Sequence, residues 1–184
     1  MTKVKHLISK YKSVIRFTLV FLSVYFALSL LYKVYLDSSE DSRYYPDYIT
    51  NLVAHQSKQI FSALDYRTQV VNHPDEPSLK IILNGKYVAR VVEGCNSVSI
   101  IILFVSFVIA FAERIRVTIL FILAGSVLLY AVNLLRIVVL SIGLFYYPWR
   151  RDILHTVIFP MIIYGMVLLL WMIWINHFSS TKKA

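Results

Sequence analysis

The chain has 184 residues, of which 58% are hydrophobic and 16% charged, with a formal net charge of +9 and a mean hydropathy of +0.66. A water-soluble domain of this length needs more polar surface than that, so a soluble globular protein is excluded and lipid is the solvent for much of the chain. The charge excess sits in short segments beside apolar runs, which makes it a topology signal and not a nucleic-acid footprint.

The first apolar run, from Val14 to Leu36, follows a basic segment containing Lys3, Lys5, Lys10, Lys12 and Arg16. It is too long for a signal-peptide core and ends in Tyr-Lys-Val-Tyr-Leu-Asp, without a small-residue cleavage site. It reads as a signal anchor (residues 14–36) behind a cytoplasmic tail (residues 1–13). Residues 37–94 form an outer loop with structure of its own. Pro46 followed by Ile49, Leu52, Val53, Ile60 and Leu64 predicts an amphipathic helix lying along the membrane surface. His73-Pro74-Asp75-Glu76-Pro77 reads as a turn-rich linker. Lys80–Leu83, Asn84-Gly85 and Lys86–Arg90 predict a β-hairpin, because Asn-Gly supplies the two positive-φ residues of a type I′ turn. The return strand runs into Val92-Glu93-Gly94-Cys95.

Three further apolar runs follow, from Cys95 to Ala112, Val117 to Tyr147 and Thr156 to Asn176. Each can cross a hydrocarbon layer of roughly 30 Å, and the middle one exceeds a single crossing, so it tilts, kinks near Gly143 or emerges. The expected fold is an all-α polytopic membrane protein of about four transmembrane helices with a structured outer loop. A three-helix core spans residues 95–177, and residues 178–184 form a second cytoplasmic tail. The N-terminal tail, the turn Arg114–Arg116 and Lys182-Lys183 concentrate positive charge on one side. Both termini are therefore expected to be cytoplasmic, with the loop and the turn Pro148–His155 outside, although Arg150 and Arg151 weigh the other way.

Cys95, Arg136 and His155 all fall at the outer end of an expected membrane helix. An arginine or histidine beside a membrane core snorkels or does work. With the second and third crossings joined by a tight turn near Arg114 and Ile115, an antiparallel pair sets Cys95 level with Leu134. Arg136 is then about 3 Å further out. The next turn brings His155 opposite Val139 to Ile142, within about two turns of Arg136. A thiol, a cation and a proton carrier can thus share one layer. Asn133, one turn before Arg136, shares its helical face, and Glu93 and Asp152 flank the layer as counter-ions. Each residue alone has an inert reading: a small apolar side chain, a snorkelling arginine, a solvated loop histidine. Their coincidence of depth is what points to chemistry. A lone cysteine forms no internal disulfide. Metal-ligand clusters, phosphate loops and nucleotide fingerprints are missing from the sequence, so no cofactor and no metal are expected.

Gly94-Cys95-Asn96-Ser97 opening one helix, Asn133-Leu134-Leu135-Arg136 ending the next and His155 beginning the last resemble the exosortase/archaeosortase family, most closely its short XrtF-type members of Bacteroidetes. The resemblance runs from about Val92 to His177. It implies a membrane-embedded cysteine transpeptidase of the bacterial inner membrane, with an outward-facing site made of Cys95, Arg136 and His155. Its implied partners are membrane-anchored proteins with C-terminal sorting signals: a short motif, a transmembrane helix and a basic tail. Typical members have Cys-Ser-Gly or Cys-Thr-Gly where this chain has Cys95-Asn96-Ser97. Two other classes stand beside this reading. A non-catalytic membrane scaffold would use Arg136 and His155 to pair with lipid or a partner. A transport component would need a polar midplane path, and the run from Ile100 to Val132 offers little of one.

Overall fold

The computed structural model describes residues 11–39, 44–112 and 114–178. The basic residues before Tyr11, Glu113 and the tail from residue 179 onward, including Lys182 and Lys183, lie outside the described residues. Helix α1 (Lys12–Asp37) leads to α2 (Tyr48–Ala63) and then to strands β1 (Thr68–Asn72), β2 (Ser78–Leu83) and β3 (Lys86–Val92). After a 3-10 turn come α3 (Val98–Ala110) and α4 (Ile115–Tyr146). Helical turns at Pro148–Arg150 and Arg151–Ile153 and a π-helical segment, Leu154–Ile158, lead into α5 (Phe159–Ile173).

Three segments are long and apolar enough to cross a membrane: Lys12–Asp37, Ile115–Tyr146 and Pro148–Asn176. Their outward faces are apolar; Leu19, Phe26, Leu30, Leu120, Leu123, Val127 and Leu168 are all exposed. Water penalises such a surface and lipid does not, so the chain reads as a membrane protein. The remaining expected crossing is shorter. α3 has 13 residues, about 20 Å at 1.5 Å per residue. It starts three residues after Cys95, because the chain first turns through Glu93–Cys95.

Phe104, Val108, Leu129, Val167, Leu170 and Trp174 knit α3, α4 and the last helix into one buried cluster. Phe107 stacks on Trp171 with ring centroids 4.1 Å apart, and Phe17 of α1 packs on Phe111 at 4.4 Å. α3 and α4 approach closely at Gly125, where a Cβ would stand 2.3 Å from the Phe104 ring. Only glycine leaves room for that ring at this crossing.

Beside the helices lies a second layer, a helix packed on a sheet. The hairpin forms at the expected turn: Leu83 faces Lys86, with Asn84 and Gly85 at φ 49° and 83°. The third strand was not foreseen. Thr68–Asn72 pairs antiparallel with β2, so the segment expected as a linker is the connection between two strands. α2 is capped by Asp47, whose Oδ1 accepts from the amides of Ile49 and Thr50 at 3.0 Å. Its buried stripe is Thr50, Val53, Ala54, Ser57 and Phe61, whereas Leu64 is exposed. The stripe packs on Leu79, Ile81, Leu83 and Val91 of the sheet and on Ile137 and Val138 of α4. The length of α4 follows from this contact. Its 32 residues run about 48 Å, and its outer part is the floor of the sheet layer. The helix continues past Gly143 to Tyr146.

Gly125→Ala places a methyl group against the Phe104 ring, which is fully buried. Overpacking of this kind costs about 1–3 kcal/mol. The midpoint of thermal unfolding in detergent micelles is expected to fall, with partial recovery when Phe104→Leu is combined with it.

Candidate functional site

The sheet hands Cys95 to the helices through a short turn. β3 ends at Val92, the amide of Asn96 donates to the Glu93 carbonyl at 3.2 Å, and Cys95 closes the turn. Asn96 then locks the junction. Its Nδ2 donates to the Tyr32 hydroxyl of α1 at 2.8 Å and to Thr50 Oγ1 of α2 at 3.1 Å. Its Oδ1 accepts from the Val98 amide at 3.0 Å, supplying a partner to one of the free donors at the start of α3. Ser97 adopts φ 67°, the left-handed region, at the position before α3, and its hydroxyl donates to the Asn96 carbonyl without capping the helix.

Helix α4 supplies the facing half. Asn133, Arg136, Ile137, Leu140, Ser141 and Leu144 recur at the three- and four-residue spacing of one helical face. Asn133 Nδ2 donates to the Cys95 carbonyl at 2.7 Å. One turn further out, Arg136 Nη2 lies 3.7 Å from Cys95 Sγ, within reach of a hydrogen bond to sulfur. The main chain and the sulfur of one residue are thus held by two side chains of one helix. The alignment expected from helix-hairpin spacing is met to within a residue or two.

Cys95 and Arg136 line a cavity of about 330 Å³. Ser141 and Leu144 continue its α4 wall, β3 contributes Val88 to Arg90, and Arg151, Asp152 and Thr156 close the far side. Arg136 Nε and Ser141 Oγ are buried and have no hydrogen-bond partner among the described residues. Leaving such a group unsatisfied costs about 1–3 kcal/mol. With Arg90, Arg136 and Arg151 against one carboxylate, Asp152, the lining is cationic.

The flanking residues divide. His155 lies in the π-helical segment Leu154–Ile158, between Asp152 and Thr156, both of which line the cavity. Its backbone is described and its side chain is not. Glu93 is exposed in the turn and does not line the cavity. The expected pairing of Arg136 with Glu93 or Asp152 is not formed; among the described residues the ion pair is Arg90 with Glu76. The guanidinium instead faces the thiol, and its charge is left for whatever enters.

Sequence reasoning passed over Asn96, Arg90, Ser141 and Thr156. Asn96 carried one local signal, an asparagine directly before an apolar run, which is a helix-start residue. No family model, curated protein or solved structure matches the chain.

Two substitutions test the junction. Asn96→Ala removes three hydrogen bonds and strands Tyr32 and Thr50. A loss of about 1–3 kcal/mol in thermal unfolding is expected, together with slower alkylation of Cys95 in the folded protein. At Ser97, glycine is expected to be tolerated, whereas the β-branched Ser97→Val must hold φ 67° and is expected to lose about 1–3 kcal/mol in the same unfolding assay.

Proposed function

We propose that the chain is a membrane-embedded cysteine transpeptidase or endopeptidase that acts on membrane-anchored proteins at the extracytoplasmic face of a bacterial inner membrane. The observation that carries this reading is the Arg136 guanidinium 3.7 Å from Cys95 Sγ in a cavity that both residues line. A fixed cation beside the sulfur can hold the negative charge that develops when the sulfur attacks a carbonyl.

In this mechanism Cys95 attacks the scissile carbonyl and forms a tetrahedral intermediate. Arg136 stabilises its oxyanion, and collapse expels the leaving amine and leaves a thioester. His155 takes the thiol proton and returns it to the amine. A second amine or water then attacks the thioester and frees Cys95. Asn133 positions Cys95 through its carbonyl, which fixes the turn while the sulfur reacts. Asp152, three residues before His155 in the sequence, is the orienter of the imidazole in this mechanism.

The topology belongs to the same proposal. α3 makes a fourth crossing together with the turn before it, both termini are cytoplasmic, and the sheet layer is outside. Arg116 and Arg136 support this, being 20 residues apart on one unbroken helix, about 30 Å or one hydrocarbon thickness. The resemblance to exosortases gains support from Ser97. It takes the left-handed conformation at the position where typical members have glycine, so the turn after the cysteine keeps a glycine-like shape.

The test is alkylation of Cys95, the single cysteine, by a membrane-impermeant maleimide added to spheroplasts at neutral pH. Labelling from outside is expected in the wild type, with the rate falling up to about tenfold in Arg136→Ala and in His155→Ala. Labelling only after permeabilisation would overturn the topology. A rate indifferent to both substitutions would overturn the catalytic grouping and leave the scaffold reading in its place.

A further inference from the structure

β3 is an edge strand. The sheet order is β1-β2-β3, so one side of β3 pairs with β2 and the other pairs with no strand. No backbone bond from Lys86–Val92 to any segment other than β2 occurs among the described residues. Long open edges invite pairing with another chain, and folded proteins usually cover or distort them. This edge is neither remote nor covered. Val88, Ala89 and Arg90 line the cavity that holds Cys95. The same residues line a second cavity of about 230 Å³ that extends along β3 to Lys86 and Tyr87. Leu144 and Arg151 are shared as well, so the two cavities form one cleft along the strand.

The pairing of β3 with β2 is irregular within that cleft. Ile81 faces Ala89 and Ile82 faces Tyr87, which makes Val88 an extra residue on β3, a β-bulge. Bulges bend and re-aim a strand and are over-represented beside active sites. Here the bulge lies where the two cavities join, and downstream of it the strand runs into the turn that ends at Cys95. Arg136 and Ser141 of α4 line the same cavity. An extended peptide presents carbonyl oxygens at regular intervals, acceptors that a guanidinium can meet.

We infer that the substrate polypeptide binds as an added strand on the free edge of β3, extended along the cleft from Lys86 to Cys95, so that main-chain pairing delivers its scissile carbonyl to the thiol. Strand addition takes affinity from the backbone and leaves side-chain selection to pockets on alternate positions. The occupant is thus an extended segment of a membrane-anchored protein just outside its membrane helix, at the height of the sheet layer. This inference rests on the peptidase reading and adds how the substrate is held.

The experiment uses the full chain in detergent micelles and the probe acetyl-tetraalanyl chloromethyl ketone, whose chloride Cys95 Sγ displaces to form a thioether. Its rate is compared with that of chloroacetone, which carries the same chloromethyl ketone and has no strand to pair. Single N-methylation of each alanine in turn removes one backbone donor. At about 1 kcal/mol for each main-chain bond, two or more bonds raise the rate of the peptide by at least about tenfold over chloroacetone. N-methylation is expected to cut the gain by about fivefold at alternate positions and leave it unchanged at the others. A gain insensitive to N-methylation, a loss without that two-residue period, or no gain overturns strand addition while the nucleophile stands. A Cys95 inert to both reagents removes the peptidase reading and this inference with it.

Discussion

Two side chains one turn apart on α4 hold one residue, and the arrangement of the rest of the protein follows from that grip. Asn133 fixes the carbonyl of Cys95 and Arg136 faces its sulfur. For both to reach, the turn that carries Cys95 must sit at one height and one rotation relative to α4. Asn96 sets that position from the other side by joining the turn to α1 and α2. Gly125 sets it from below by letting α3 and α4 come close. The helices, the loop helix and the sheet all meet at one junction of three residues.

The electrostatics match the position. A guanidinium beside an apolar helix bundle is costly unless it is paired or put to use. Arg136 has no carboxylate partner among the described residues, and one of its nitrogens is buried without any acceptor. Its hydrogen-bond partner is the sulfur of Cys95, a neutral group that does not balance its charge. The unbalanced charge is a poor device for stability and a good one for holding developing negative charge.

Much of this was legible in the sequence, and the omissions have physical causes. The depth of Cys95 relative to Arg136 follows from helix rise and the length of one turn, both local quantities. The Asn84-Gly85 hairpin was equally readable, because its turn demands two positive-φ residues. β1 was not: Thr68–Asn72 is short and largely exposed, and only its pairing with β2 makes it a strand. The buried face of α2 was misread because Thr50 and Ser57 belong to it while Leu64 does not. Those polar residues are buried because Asn96 and the α2 backbone supply their partners. Asn96 itself was opaque, since its partners lie 46 and 64 residues earlier in the chain. Contacts at that separation leave no periodic trace.

The shared use of α4 has an architectural consequence. Ile137 and Val138 complete the core of the sheet layer, while Arg136 and Ser141 of the same stretch wall the cavity. The sheet layer is therefore not a separable ectodomain. Cut away from the helices, it would expose the faces of Phe61, Leu79, Ile81 and Val91 that α4 helps to cover. Any tilt of α4 within the bilayer would likewise move the floor of the sheet and the wall of the cavity as one piece. Bilayer thickness, which sets helix tilt, thereby becomes a quantity to which the reactive cysteine is mechanically coupled.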